Sequence, residues 1–291
     1  MPTAISPPPL RIGVIGHVEH ITLGRIEALP RAGDIVHVEA PRVLAGGGGG
    51  IAFFQLARGP AELHLFTALG SDDGARAVER AIAASGAAIH AARRAEPHTR
   101  DVVMIDPDGE RTIVVVGEPL HPRADDPLPW ELLDGLDAVY FTAQDPALLA
   151  RARGARVLVA TARRRACIAA AGVELDAIVG SGADPRERAA SADFAVPPRA
   201  LVMTEGSRGG AVETAAGVAR FASPSVQVTG GTYGAGDSFA GALTYYLAAG
   251  LDAAEAAARA AHHGAAIVGS LDPLAAQLPL PALAPPRTAD R

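Results

Sequence analysis

Short apolar runs bounded by glycine, proline or charge alternate along this chain with segments whose apolar positions recur every three or four residues. Arg11 to Gly16 (RIGVIG) reads as a buried strand, and Asp34 to Glu39 (DIVHVE) alternates as a half-exposed one does. A helical pattern runs from Gly50 to Arg58, followed by a strand at Glu62 to Thr67 and a helix from Asp73 to Ala84. Asp101 to Asp106, the turn Pro107-Asp108-Gly109 and Arg111 to Val116 form a hairpin, since Asp-Gly supplies the positive φ of a tight turn. Its mixed faces set it on a sheet apart from the main core.

Beyond Pro127 the strands Ala138 to Thr142, Arg156 to Ala160, Ala177 to Val179 and Ala200 to Thr204 alternate with alanine-rich helical segments. Such βα alternation predicts a mostly parallel sheet covered by helices. Gly210 to Thr214 and Gly217 to Phe221 form a strand pair. Asp237 to Ala249 carries Phe239, Leu243, Tyr246 and Leu247 at helical spacing, with Gly250 placed to end it. Asp252 to Glu255 opens a further helix as a capping box does. The proline-rich ends read as tails.

Composition narrows the chemistry. With 291 residues, 49% of them hydrophobic, the chain has enough apolar surface for one large α/β domain or two smaller ones. A net charge of −6 with dispersed arginines excludes a general nucleic-acid binder and favours a small-molecule partner. All 26 basic residues are arginine, which excludes a Walker A loop, a protein-kinase strand lysine and a pyridoxal Schiff base. One cysteine, Cys167, excludes an internal disulfide and reads as a buried thiol. The N-terminus has no signal-peptide pattern, and no run approaches the roughly 18 apolar residues of a membrane span. A soluble cytoplasmic protein is expected.

Gly230 to Phe239 (GGTYGAGDSF) leads directly into a helix. The first N–H groups of a helix lack partners and carry partial positive charge, so an anion is stabilised there without any lysine. Gly234, Ala235 and Gly236 allow close approach of a phosphate. Two readings of Asp237 stand side by side: a helix cap, or a carboxylate that takes a proton from an attacking hydroxyl.

Gly234-Ala235-Gly236-Asp237 followed by Ser238-Phe239 resembles the second signature of the PfkB carbohydrate kinases, the ribokinase-like family. Gly46-Gly47 with Gly70-Ser71-Asp72-Asp73-Gly74 resembles the first signature, Pro30 to Asp34 the family's Pro-x-x-Gly-Glu, and Thr204 to Gly209 its Thr-x-Gly-Ser-x-Gly loop. The resemblance spans about residues 10 to 275. It implies a three-layer α/β/α sandwich made of 10–20, 41–98 and 118–280, with a β lid made of 21–40 and 99–117 and tails at 1–9 and 281–291. It implies ATP with Mg²⁺ across Thr204, Gly206, Ser207 and Gly209, with Thr232 on the nucleotide side. Gly234 to Gly236 would be the anion hole and Asp237 the base. Two copies pairing through lid strand edges are expected.

The acceptor side departs from the family. Glu19, Ile21 and Ile51 stand where its sugar-holding polar residues fall, and an isoleucine cannot hold a hydroxyl. Glu19, Gly46, Gly47, Ile51 and Gln144 are the candidate acceptor residues, with His17, His20 and Asp145 as further ones. The family's Asn-x-x-Glu, which organises Mg²⁺ through water, is placed on Ser181 to Asp184; Asp184 reads as a metal residue or a helix cap. Gly231 replaces an acid tied to monovalent-cation sites and leaves potassium activation open. The five glycines from Gly46 are not followed by the acid of a dinucleotide fold. His262-His263 reads as packing, and Arg163 to Arg165 as a solvated run or, alternatively, a phosphate contact. Two functions follow: a kinase for a sugar or sugar-like alcohol, or a kinase-fold protein that binds a ligand with little catalysis.

Overall fold

Strands β8 (Ala138–Phe141) and β9 (Val157–Thr161), described below in their place, are buried along their whole length, so helices must cover both faces of their sheet. The computed structural model describes residues 8–283; the expected tails therefore lie largely outside the described residues. The earlier strands are β1 (Arg11–Ile15), β2 (Glu19–Arg25), β3 (Glu39–Gly46), β4 (Glu62–Leu69), β5 (Ala88–Arg93), β6 (Arg100–Ile105) and β7 (Arg111–Val116). After β9 come β10 (Ala177–Ser181), β11 (Ala200–Thr204), β12 (Gly210–Thr214) and β13 (Gly217–Phe221). The helices are α1 (Gly47–Leu56), α2 (Asp73–Ala83), α3 (Pro146–Ala152), α4 (Arg165–Ala171), α5 (Ala235–Ala248) and α6 (Ala253–Val268).

The large sheet has the order β13-β12-β11-β10-β9-β8-β1-β4-β5, parallel from β11 to β5 with an antiparallel pair at the β13 edge. On one face Ile12, Val14 and Leu65 pack against Phe53, Val78, Phe239, Leu243 and Ala257 of α1, α2, α5 and α6. On the other, Ile15, Phe66, Val139 and Phe141 pack against Leu148 and Leu149 of α3 and Ile168 of α4. The chain leaves β1 toward β4 and later returns to β8 on β1's other side. That reversal opens a crevice beyond the C-terminal ends of β1 and β8, where parallel α/β sheets bind ligands.

A second sheet, β3-β2-β6-β7, stands over this crevice. Ile21, Leu23, Val103 and Ile105 on its inner face pack with Ile51 and Tyr233. Its strand β3 runs into α1 with no intervening loop: β3 ends at Gly46 and α1 begins at Gly47. Helix α1 thus starts three residues earlier than its pattern predicts, through glycines that are poor helix formers. The reason is space. A Cβ on Gly49 would sit 2.6 Å from the His17 carbonyl oxygen, and one on Gly50 3.0 Å from Val18.

The strand predicted at Asp34 to Glu39 is absent: Asp34 to Val38 form coil, and Glu39 begins β3. Strand β2 ends at Arg25, which pairs with Glu39 after a register shift, so Asp34 to Val38 have no neighbour to pair with, and Ile35 is 89% exposed. Alternation marks a half-buried surface but does not supply a partner strand.

Helices α1 and α5 cross in direct backbone contact, because a Cβ on Gly241 would lie 2.7 Å from the Ala52 carbonyl oxygen and 3.2 Å from its Cα. Gly241→Ala is expected to cost about 1–3 kcal/mol by overpacking and to lower the melting temperature by several degrees. Gly236→Ala serves as the control: a Cβ there meets nothing within 4 Å, and its melting temperature should match the wild type in calorimetry.

Candidate active site

The end of β1 and the end of β8 meet at the crevice. A Cβ on Gly16 would lie 2.3 Å from the Thr142 side chain and 3.2 Å from Gly49, so the N-terminus of α1 rests on both strand ends. The site nearest Gly48 collects three groups: its Cβ position is 3.2 Å from Asp237 Oδ1, 3.3 Å from Thr142 Oγ1 and 3.5 Å from His17 Cε1. Asp237 enters from the first turn of α5, which Gly234 begins at φ 83°. Two helix N-termini therefore open on one point.

They differ in what their amides do. Gly47 N–H donates to Tyr233 Oη at 3.1 Å and Gly48 N–H to His17 Nε2 at 3.3 Å. In α5, Ala235 N–H reaches only the Thr232 carbonyl at 3.4 Å, and the N–H groups of Gly236 and Asp237 have no hydrogen-bond partner among the described residues. Unpaired amides at a helix start are an anion seat.

Charges around Asp237 are balanced. Burial pushes its carboxyl up to about 6, Glu187 adds to that rise, and Arg111 and Arg163 oppose it. Arg111 comes from the second sheet and donates to Thr232 Oγ1 at 3.0 Å. Arg163 bridges Asp184, at 2.9 Å, and Glu187. Asp184 is also paired with Arg186 at 3.2 Å, so a cation at Asp184 must displace a guanidinium. Among the described residues no group of three or more acidic, His or Cys side chains is placed to hold a metal.

Glu19 and Asp101 project from the paired strands β2 and β6 as two buried, neighbouring carboxyls. Burial first, and then the Asp101 neighbour, holds Glu19 well above the ordinary carboxylate range. Glu19 lies 3.7 Å from His17 Nε2. His17 is neutral, its pKa lowered by burial and then by His121 and Arg164. The His17 and His121 rings meet edge to face at 4.8 Å.

The sequence-derived candidates distribute unevenly. Asp237, Gly47, Glu19 and His17 come together, while Gly46 packs beneath, its Cβ position 2.6 Å from Tyr233 Oη. Ile51 is fully buried with Ile21 in the lid contact. Gln144 is exposed at the end of β8. Asp145 caps α3, accepting from Ala147 N–H at 2.9 Å. The His20 Cβ lies by Gly74, at the start of α2. Thr204 ends β11, and Gly206, Ser207 and Gly209 follow in the loop to β12, with Gly206 and Gly209 at φ 61° and 85°. It is held by Glu205 pairing with Arg220 at 2.6 Å.

Asp101, Arg111, His121, Thr142, Arg164 and Glu187 were not singled out as site residues. The arginine run is no solvated stretch: Arg163 is ion-paired, Arg164 Nε donates to the Thr142 carbonyl at 2.8 Å, and Arg165 donates to carbonyls of Arg186 and Arg188. Its position directly after a buried strand was the available signal. Asp184-Pro185-Arg186-Glu187 also meets the Asn-x-x-Glu spacing better than Ser181 to Asp184, since it supplies the terminal glutamate. His263 is buried, 3.0 Å from Tyr246 Oη, a packing role.

The family model for pfkB family carbohydrate kinase matches residues 167–279. No curated protein sequence matches the chain. Among solved structures, a ribokinase from Thermotoga maritima is similar at TM-score 0.74 and 17% identity, covering 93% of this chain and 96% of that one. An Arabidopsis thaliana ribokinase complexed with ribose and ATP is similar at 0.70 and 18%, covering 94% and 96%. An adenosine kinase from Sinorhizobium meliloti is similar at 0.75 and 14%, covering 91% and 96%. The chain therefore has the ribokinase-like α/β fold, with a large mixed sheet between helices and a smaller separate sheet. No helix among the described residues is long and apolar enough to cross a membrane.

Because the Asp237 carboxyl is raised from 3.8 to about 6 in the folded state, its ionisation opposes folding. Stability from this group is full below about pH 4, is lost as pH rises through 6, and stays lost above. Asp237→Asn should therefore raise the melting temperature at pH 7.5, on the order of 2–3 kcal/mol at 1.36 kcal/mol per pH unit. Scanning calorimetry should show the gap between variant and wild type narrowing as pH falls from 6 toward 4.

Proposed function

We propose that this protein is an ATP-dependent kinase that phosphorylates a hydroxyl of a sugar-like alcohol, with Asp237 as general base. The observation that carries the reading is the pairing, at one helix mouth, of partnerless Gly236 and Asp237 amides with a carboxylate whose pKa is lifted to about 6. An ordinary helix cap would spend its carboxylate on those amides. The family match and the similar fold of a ribokinase complexed with ribose and ATP support it.

In this reading the acceptor hydroxyl lies beside Asp237, Thr142 and the Gly48 gap. Its oxygen attacks the γ-phosphorus as Asp237 takes the proton, and the bond to the bridging oxygen of ADP breaks. The transferring phosphoryl oxygens accept from the Gly236 and Asp237 amides, with Gly234 and Ala235 completing the turn. Arg111, reaching in from the lid, adds positive charge on the phosphoryl side. ATP would lie over Thr204, Gly206, Ser207 and Gly209, with Thr232 below its terminal phosphates. Mg²⁺ would neutralise those phosphates and reach the protein through water, toward Asp184 and Glu187. Closure of the second sheet excludes water. Its outer strand β7 leaves Val114, Val115 and Val116 about half exposed, an edge suited to pairing with a second copy.

Purified protein with Mg-ATP should release ADP when offered a suitable member of a panel of sugars, polyols and nucleosides. Asp237→Asn should lower kcat at least a thousandfold with ATP affinity retained; turnover within threefold of wild type would refute the base. Ligand-dependent thermal stabilisation without phosphate transfer to any acceptor would favour a ligand-binding protein instead. Gly236→Ala should keep its fold yet lose more than tenfold in kcat/KM, because its methyl enters the anion seat. The pH profile of kcat/KM should fall tenfold per unit below about pH 6, as Asp237 takes up its proton.

A further inference from the structure

We propose that the acceptor is a polyhydroxy acid whose carboxylate is held by Arg164. This rests on the kinase reading for the fate of the hydroxyl, but the binding it asserts stands alone. Arg164 sits between β9 and α4, where its Nε donates to the carbonyl of Thr142 at 2.8 Å, the residue whose side chain borders Gly48 at the crevice. Its two terminal nitrogens form no hydrogen bond or ion pair with any described residue. Every other arginine around the crevice is engaged: Arg163 with Asp184 and Glu187, and Arg111 with Thr232.

The unengaged fork lies on the acceptor side. Its charge is felt by His17, His121 and Glu19, whereas the arginines felt by Asp237 are Arg111 and Arg163. Around it are buried polar atoms with no hydrogen-bond partner: His17 Nδ1, both ring nitrogens of His121 and Asp101 Oδ1. Asp101 is 4% exposed. Buried groups of this kind are normally satisfied, so a cluster of them describes a polar ligand. Hydroxyl groups suit the imidazole nitrogens and the free carboxyl oxygen, which between them accept and donate.

The charge count selects the remaining group. Glu19 and Asp101 make no ion pair with Arg164, and burial raises the pKa of both carboxyls, so the guanidinium has no dedicated counterion among the described residues. Burial already pulls its pKa down. A planar fork with two free N–H edges matches a carboxylate bidentately. With the Glu19 and Asp101 carboxyls close by, a single guanidinium suits a monoanionic carboxylate better than a phosphate dianion.

The test uses full-length protein and four- to six-carbon aldonates, D-ribonate and D-gluconate among them, against the matching alditols and D-ribose 5-phosphate. Calorimetric binding without nucleotide and ADP release with Mg-ATP are both read. An aldonate should be favoured over its alditol at least a hundredfold in Kd and in kcat/KM. Arg164→Gln should cost the aldonate a hundredfold or more and the alditol tenfold or less, and Arg164→Lys should recover part of the loss. Preference for an alditol or for the phosphate ester, or equal losses for acid and alditol in Arg164→Gln, overturns the inference. If Arg164→Gln does not fold, the wild-type preference decides it. Arg164-dependent aldonate binding with no ADP release would defeat the kinase reading and keep this one; ADP release with alditols and no aldonate binding would do the reverse.

Discussion

Everything at the site depends on the close approach of α1 and α5, which is a constraint on backbone volume. Gly241 against Ala52 lets the helices touch, and Gly48 and Gly49 let the mouth of α1 reach His17 and Asp237. The two positive helix ends would repel each other if both were bare. The structure resolves this by satisfying one and leaving the other. His17 and Tyr233 occupy the first amides of α1, and the α5 amides remain available to a bound anion. Asp237 feels the opposing influences of burial and of two guanidinium groups, and its intermediate pKa is the result.

The fold was legible in the sequence because each βα unit declares itself locally. Uninterrupted apolar strands such as β8 and β9 announce a doubly covered sheet. The lid was harder. Strand β3 contains Pro41 and is exposed at five of its eight positions, so no alternation betrays it, whereas Asp34 to Val38 alternate and pair with nothing. Pairing is a tertiary fact, and a strand without a partner is only an extended chain.

The site divides along the same line. The Gly234 to Asp237 turn and the Gly46 to Gly50 run are short-range features, readable where they stand. Asp101, His121 and Arg164 reach the crevice from three separate segments, and only the strand order brings them together. Arg163 to Arg165 misled because a charge run shows nothing of the Asp184 to Arg188 segment that folds onto it. The aliphatic residues at 21 and 51 looked like lost recognition. In the structure they join the second sheet to α1, and the carboxyls of Glu19 and Asp101 come from strands β2 and β6 of that sheet.

Strand β3 passes into α1 at Gly46 and Gly47 without a linker, and Gly47 turns the corner at φ 76°. A loop there would absorb displacement of the small sheet. A rigid joint transmits it instead, so a shift of the small sheet moves the helix end beside Asp237. The small sheet and that carboxyl thus share one lever, with its fulcrum at a single residue.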